Sequence, residues 1–299
     1  MGLISIIKKL DAEKLGLHIV TDLELKQIQN YFLELLTDLN EFCDKEKIEW
    51  FFGGGSLLGA ARHKGFIPWD DDVDIHMTRE NFNKFQSKFD SSKILTEKYS
   101  LKIPGDKGFI YHFPRIYIKG TSMIPIQSTG KLEELALDIF IMENTYDNKI
   151  LRFFHGIQCN ALLFIDSVVR MDACKAFMIR FAKESRELDK AVKSRACFAK
   201  FFKFYSIERW MEISDKCFSK VKNNNSKLVV CTSGSLHYFG ELYDREKMCR
   251  IMELPFEGKM MKVPAGYEYV LSKRYGQDYM LPPPAEKIEK HVYVSLDLD

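Results

Sequence analysis

Asp70, Asp71, Asp72 and Asp74 place four carboxylates within five residues, directly after the run Gly53-Gly54-Gly55-Ser56-Leu57-Leu58-Gly59 and a short spacer. Folding alone gives no reason to gather so much negative charge beside Ile67, Val73 and Ile75. A divalent metal and a phosphate do. In an extended Asp72-Val73-Asp74 the side chains alternate, so both aspartates face one way while Val73 and Ile75 turn to the core. Twice the strand rise separates their Cα atoms by roughly 6.6 Å. At an effective dielectric near 20, two unit charges at that distance repel by about 2.5 kcal/mol. A Mg²⁺ or Mn²⁺ ion converts this repulsion into coordination by hard oxygen donors. Upstream, Gly53, Gly54 and Gly55 accept positive φ and let backbone N–H groups close on a ligand. Ser56 adds a hydroxyl at the predicted start of a helix, a place that suits phosphate. Arg62, His63 and Lys64 follow with charge to offset further phosphate. Gly54, Gly55, Ser56, Arg62 and Lys64 are therefore donor-phosphate candidates, and Asp72 with Asp74 the metal pair, of a phosphoryl- or nucleotidyl-transfer site.

Other motifs fail on single positions. Gly54 to Gly59 has P-loop spacing, but Ala60-Ala61 stands where Lys-Ser/Thr is needed. The third glycine of a dinucleotide turn is replaced by Leu58, which also removes the last glycine of a nucleophile elbow around Ser56. Asp70, Asp72 and Asp74 match the first, third and fifth positions of an EF-hand loop, yet Ile75 replaces its glycine and Asn81 its glutamate. A lone Asp-x-Asp reads more readily as a solvated acidic turn. The glycine-serine turn at short spacing upstream reverses that preference.

The surrounding pattern supplies elements to hold these residues. Thr21 to Ile48 reads as a long amphipathic helix, with capping-box spacing between Thr21 and Glu24 and apolar positions Leu25, Ile28, Phe32, Leu35, Leu36 and Leu39. Glu49–Phe52 is a short strand running into the glycines, Ser56–His63 one or two helical turns, and Val73–Met77 a strand. Thr78 caps a helix carrying Phe82, Phe85 and Phe89. Further strands are predicted at Tyr99–Ile103, Phe109–Ile118, Ser122–Ile126, Leu135–Met142 and Leu228–Cys231. This order predicts an α/β fold with a mixed sheet flanked by helices.

The 299 residues allow one large domain or two small ones, and a formal charge of +2 argues against a nucleic-acid partner. Charge is uneven, however: the helical, aromatic stretch 151–222 has 15 Lys+Arg against 8 Asp+Glu. There Phe177, Phe181, Phe198, Phe201, Phe202 and Phe204 alternate with basic residues. That pattern suits either an interfacial helix or a helical subdomain with a solvated basic face. Seven cysteines, an odd number with no C-x-x-C, argue against a disulfide framework or a four-cysteine zinc site and fit a reducing cytosol. The N-terminus MGLISIIKKLDAEKLG lacks the charge order of a signal peptide, and Ile6 breaks the myristoylation pattern after Met1-Gly2. No apolar run is long enough to span a membrane.

The segment Phe52–Ile75, FGGGSLLGAARHKGFIPWDDDVDI, resembles the signature of the LicD family, which includes bacterial phosphocholine transferases and, more distantly, fukutin and fukutin-related protein. The resemblance extends to Leu137-Asp138-Ile139-Phe140 and to Phe256–Pro283, with its Val-Pro-x-Gly-Tyr and Tyr-Gly-x-x-Tyr-Met-x-Pro-Pro patterns. It implies a nucleotidyltransferase-type α/β (α+β) fold. Together with the shift in composition, this divides the chain into a nucleotidyltransferase-like core at 1–148, a basic aromatic helical insertion at 149–226, to which the resemblance does not extend, and a C-terminal part, 227–299, packing back on the core. It implies a third catalytic carboxylate, Asp138, beside Asp72 and Asp74, and Mg²⁺ or Mn²⁺ as cofactor. The expected reaction moves a phosphorylated alcohol, above all phosphocholine, from a CDP-linked donor such as CDP-choline to a hydroxyl of a cell-surface glycan or glycolipid precursor. The cysteine usage fits a cytoplasmic setting, at the inner face of a membrane where the basic aromatic stretch 149–222 acts as an interfacial element. Choline is held by aromatic faces, which makes Trp69, Tyr111, Tyr117, Tyr267, Tyr275 and Tyr279 candidates. Asp70, Asp71 and His291 are expected as supporting residues. Two other readings stay open: an NTP-dependent nucleotidyltransferase acting on a small molecule, and a catalytically silent binding module of the same fold.

Overall fold

The computed structural model describes residues 12–182, 185–284, 288 and 291–298. The N-terminal residues read above for a leader or an acylation site, 1–11, lie outside them. Local signals act where expected. Thr21 caps the helix Asp22–Glu46 with a complete capping box, and Lys47 ends it in the left-handed conformation. Its buried stripe, Ile28, Phe32, Leu35, Leu36, Leu39 and Cys43, follows the helical period. Thr78 caps the helix Arg79–Phe89, which buries Phe82, Phe85 and Phe89.

A mixed seven-stranded sheet forms the centre. Its strands are β2 (Phe51–Phe52), β3 (Asp74–Thr78), β4 (Tyr99–Lys102), β5 (Arg115–Ile118), β7 (Ala136–Asn144), β8 (Leu228–Cys231) and β9 (Leu242–Asp244). The order is β2-β3-β7-β5-β4, with β8 also pairing β7 and carrying β9. Only β3 and β7 are parallel; the long β7 is shared on its other side between β5 at its start and β8 at its end. Small two-stranded ribbons join β1 (His18–Ile19) to β12 (Val292–Tyr293), β6 (Ser122–Ile124) to β13 (Ser295–Asp297), and β10 (Ile251–Phe256) to β11 (Lys259–Pro264).

Several predicted strands are shorter in the structure, two of them at a proline. Phe109–Ile118 is a strand only from Arg115, because Pro114 has no N–H for a ladder and Phe109, Ile110 and Tyr111 bury themselves in a separate core. Ser122–Ile126 ends at Ile124, ahead of Pro125. The strand predicted from Val73 begins at Asp74, although the Asp138 N–H already donates to the Val73 carbonyl at 3.0 Å.

The two faces of the sheet are packed differently. Ile75, Met77, Leu137 and Ile139 point into the main core with Phe32, Leu36, Phe85 and Trp50. On the opposite face Tyr117 and Ala136 join a second core with Met171, Phe177, Phe181, Leu188 and Val192 from the helices Lys149–Ala182 and Arg186–Ala199. Phe177 and Phe181, read above as candidate interfacial residues, are therefore buried. No helix among the described residues is long and apolar enough to cross a membrane.

One buried charge is out of keeping with this packing. Asp166 lies fully buried on the helix Lys149–Ala182, and its carboxylate oxygens have no hydrogen bond of ordinary geometry among the described residues. Burial raises its pKa to about 7, with Ser214 opposing weakly. The native state thus holds this proton more tightly than the unfolded chain. Its contribution makes stability fall as pH rises from about 4 to about 7 and leaves the full deficit above that. Asp166→Asn is expected to be more stable than the parent at pH 8, by on the order of a few kcal/mol, and equal to it at pH 4. Urea unfolding at both pH values checks this; a parent that is the more stable at pH 8 would contradict it.

Candidate active site

Strand register builds the site. Parallel pairing sets Asp74 beside Asp138, and antiparallel pairing sets Arg115 on the other side of Asp138. The three side chains share one face and one row, with strands spaced about 4.8 Å apart. Arg115 closes on Asp138 as a fork: Nε donates to Oδ1 at 2.6 Å and Nη2 to Oδ2 at 3.3 Å. The same guanidinium lies 3.9 Å from the ring centre of Tyr111, whose other neighbour is Arg170 at 4.6 Å. The Tyr111 hydroxyl donates to Glu133 at 2.8 Å.

The glycine turn is shaped around these groups. It leaves β2 and opens the helix Gly54–His63. Gly54 has φ +48°, and a Cβ there would overlap the Asp74 carboxylate; one on Gly55 would come 2.6 Å from Asp70 Oδ2. A side chain at Gly53 would collide with the His76 ring. The turn is tied to β3 by its backbone: the Gly53 N–H donates to the Asp74 carbonyl at 3.0 Å, and the Asp74 N–H donates to Ser56 Oγ at 3.0 Å. Ser56 is buried and keeps its own hydroxyl proton to donate.

The four aspartates separate into distinct roles. Asp71 is buried and anchors the C-terminal segment: it accepts from the Tyr293 hydroxyl at 2.6 Å and faces His291 Nδ1 at 2.5 Å. Asp70 faces Gly55, and its carbonyl accepts from Gln29 at 3.1 Å. Asp74 is partly covered and its pKa is pushed up to about 7, by burial first and then by Asp138, with Arg274 and Arg115 opposing. Asp72 is raised well above the usual carboxylate range by burial and by Asp74, Asp70, Asp71 and Asp138. Its side chain still meets solvent; dense protein around an accessible group is what the wall of a cleft provides. Water reaches this group, and the carboxylates crowded around it hold back its ionisation.

The remaining candidates are spread more widely. Arg62 donates to the carbonyls of Tyr279 at 3.1 Å and Leu281 at 3.3 Å, so it secures the proline-rich segment. Lys64 is the exposed C-cap of the helix begun by Gly54, about 15 Å further along by helical rise. Trp69 and Tyr267 are half-buried against the main core, and Tyr279 packs there too. Tyr275 is 43 % exposed, and its hydroxyl is raised by burial, with Asp74 and Asp70 adding to the effect, which sets it on the rim of the aspartate cleft.

Several groups at the site were not singled out from sequence. Arg115 has no motif beyond following Pro114. Arg274 precedes Tyr275-Gly276 and shares a small cavity with Gly54, Asp74, His76, Phe140, Cys231 and Gly234. It is held by Glu241 at 3.0 Å and Ser235 at 3.2 Å. His76, two residues after Asp74 on the same face, is buried and its pKa is lowered to about 3 by burial and by Arg274. A much larger cavity, about 370 Å³, lies beside this cleft rather than at the carboxylates. Gly234 lines both spaces, and the large one is walled by Arg170, Arg195, His112 and His237 together with Leu163, Met171 and Met178.

Residues 47–151 match the family described as LicD/FKTN/FKRP, nucleotidyltransferase domain. Across 283 residues the chain is 27 % identical to the lipopolysaccharide cholinephosphotransferase LicD of Haemophilus influenzae, covering 90 % of this chain and 96 % of that protein. Shorter matches reach uncharacterized proteins of Rickettsia typhi, 43 % identical over 53 residues, and Rickettsia prowazekii, 44 % over 48; each covers under a fifth of either chain.

The cradle at Gly54 makes a direct prediction. Gly54→Ala adds a methyl where the Asp74 carboxylate lies and forces a left-handed conformation on a Cβ-bearing residue. It is expected to destabilise the fold by about 1–3 kcal/mol, read by urea unfolding, whereas Ala60→Gly in the same helix should cost about 1 kcal/mol. A neutral Gly54→Ala would contradict the described cradle.

Proposed function

We propose that this chain, whose residues 47–151 form a LicD-family nucleotidyltransferase domain, is a phosphotransferase that moves phosphocholine from CDP-choline to a hydroxyl of lipopolysaccharide or a related cell-surface glycolipid precursor. The observation that carries the reading is the row Asp74–Asp138–Arg115 next to Asp72, in front of a glycine turn with no room for side chains. Asp72 and Asp74, both held at raised pKa, together with Asp138 beside them, fit a hard divalent cation, Mg²⁺ or Mn²⁺, as its three carboxylate ligands. Such an ion, when bound, supplies charge neutralisation for the donor diphosphate.

The chain's own residues account for the rest. The Gly54-Gly55-Ser56 turn presents backbone N–H groups and a hydroxyl to the donor phosphates at a helix start. Arg274, beside Asp74, adds positive charge for the same group. Arg115 engages both oxygens of Asp138, so Asp138 serves as a fixed ligand. An acceptor hydroxyl has the solvent-facing Asp72 to approach, and Tyr275 on the rim offers an aromatic face to a quaternary ammonium. The large cavity, cationic at Arg170 and Arg195 and apolar between them, suits an anionic glycolipid head. Exposed Ile150, Phe153, Phe154, Phe198, Phe201 and Phe204 on the helical part would rest on the membrane that carries it, on the cytoplasmic side.

Asp74→Asn with saturating Mg²⁺ is expected to lower CMP release from CDP-choline by at least about 100-fold (of the order of 3 kcal/mol in the barrier). Near-normal turnover would sink the assignment. Calorimetric titration with CDP-choline, CDP-ribitol and nucleoside triphosphates distinguishes the readings: preference for a triphosphate favours an NTP-dependent enzyme, and no binding of any nucleotide a silent module. For the surface, flotation with anionic vesicles at low salt should carry the parent chain and lose most of the Phe153→Ser/Phe201→Ser/Phe204→Ser variant. A parent that stays at the bottom of the gradient excludes the membrane contact.

A further inference from the structure

A second cluster lies away from the carboxylates, in the helical part. His155 and Cys159 stand one turn apart on the helix Lys149–Ala182, and Cys217 approaches them from the end of the helix Ile207–Phe218. Their ligating atoms all lie within 4.8 Å of one another. Cys159 Sγ is 3.9 Å from Cys217 Sγ and 3.5 Å from His155 Nε2. Tetrahedral zinc with bonds of about 2.3 Å to sulfur and 2.05 Å to nitrogen sets two sulfurs roughly 3.75 Å apart and a sulfur and an imidazole nitrogen roughly 3.5 Å apart. The sulfur–nitrogen edge matches this value, and the sulfur–sulfur edge exceeds it by about 0.15 Å. The sulfurs are also well outside the roughly 2.04 Å of a disulfide bond.

We propose that His155, Cys159 and Cys217 form a zinc site that pins the helix Lys149–Ala182 to the helix Ile207–Phe218. The imidazole is oriented for the task, standing edge-on to both Tyr146 and Tyr238. Its Nδ1 lies 3.3 Å from the Tyr238 hydroxyl, whose oxygen accepts a hydrogen bond from Nδ1–H when Nε2 binds the metal, the usual arrangement around a ligating histidine. Nε2 also lies 2.8 Å from the Cys217 carbonyl, to which it donates whenever it carries the ring proton. Loading from that tautomer moves the proton to Nδ1. Cys217 is only partly covered, and a water would complete a four-coordinate shell. The sequence pattern is an H-x-x-x-C helical turn completed from 58 residues away, which no C-x-x-C search detects. The site also bears on the catalytic face, because Tyr238 and Cys159 pack with Val230 of β8, the strand leading into Ser233-Gly234.

The test uses the full chain, purified reduced and without a metal-affinity tag. Elemental analysis should find about one zinc per chain, and replacement by Co²⁺ should give thiolate-to-cobalt absorption. Cys159→Ser and Cys217→Ser should each lose that absorption, while Cys197→Ser, at an exposed thiol, and Asp74→Asn should keep it. Retention in Asp74→Asn separates this site from the carboxylate cleft. A folded, reduced chain that holds no zinc and gives no cobalt–thiolate band overturns the proposal. So does a band that survives loss of both Cys159 and Cys217, or a Cys159–Cys217 disulfide in place of metal. If the serine variants do not fold, X-ray absorption of the parent decides: two sulfurs and one imidazole are expected, and an all-oxygen shell refutes the assignment.

Discussion

Parallel pairing of β3 with β7 sets Asp74 against Asp138 across a single strand spacing, where like charges repel unless something intervenes. Much of the surrounding structure answers that repulsion. Arg115 sits in the same row on the far side of Asp138 and is itself stacked on Tyr111. Arg274 reaches in from the helix Tyr267–Tyr275, held by the buried Glu241. Neither arginine neutralises the cluster completely. Asp72 and Asp74 keep raised pKa values, so the cluster favours added positive charge. A site in this condition is poised to take a cation together with an anionic donor, which is the chemistry proposed for it.

The same row explains the glycines. Close carboxylates can coexist with a tight turn only if the turn has no side chains of its own. Gly53, Gly54 and Gly55 are each matched to one side chain of the site: His76, Asp74 and Asp70. Outside this layer the sheet is held from behind by the main core, while the helices from Lys149 onward cover the site face with a second core. The large cavity lies where that cover meets the loop Ser233–Ser235, beside the carboxylates. The helical part thus forms one wall of the space that an acceptor would occupy.

Much of this was legible in the residues. The capping box at Thr21 and the Thr78 cap appear as predicted, because each depends on partners three residues away. The pairing of a glycine-serine turn with Asp72 and Asp74 was readable for the same reason, as both lie on one short stretch. Strand limits were less so: Pro114 and Pro125 cut two predicted strands, and the apolar residues before Pro114 went to a different core. Asp71 and His291 were grouped with the chemistry, and the structure joins them to each other at the C-terminal segment. Arg62 likewise turns one terminal nitrogen to carbonyls more than 200 residues away, while its Nε donates to His63.

The amino-acid sequence by itself determined the local ingredients: a cluster of hard oxygen donors, a side-chain-free glycine turn and an amphipathic framework to carry them. These are properties of residue type and short spacing, set by backbone periodicity and local hydrogen bonds. Tertiary structure alone decided which carboxylates become neighbours, and that Arg115 and Arg274 attend them. It also brought Cys217 to His155 and Cys159. Those contacts depend on strand register and helix packing between segments 23 to more than 200 residues apart, for which no local pattern carries a signal.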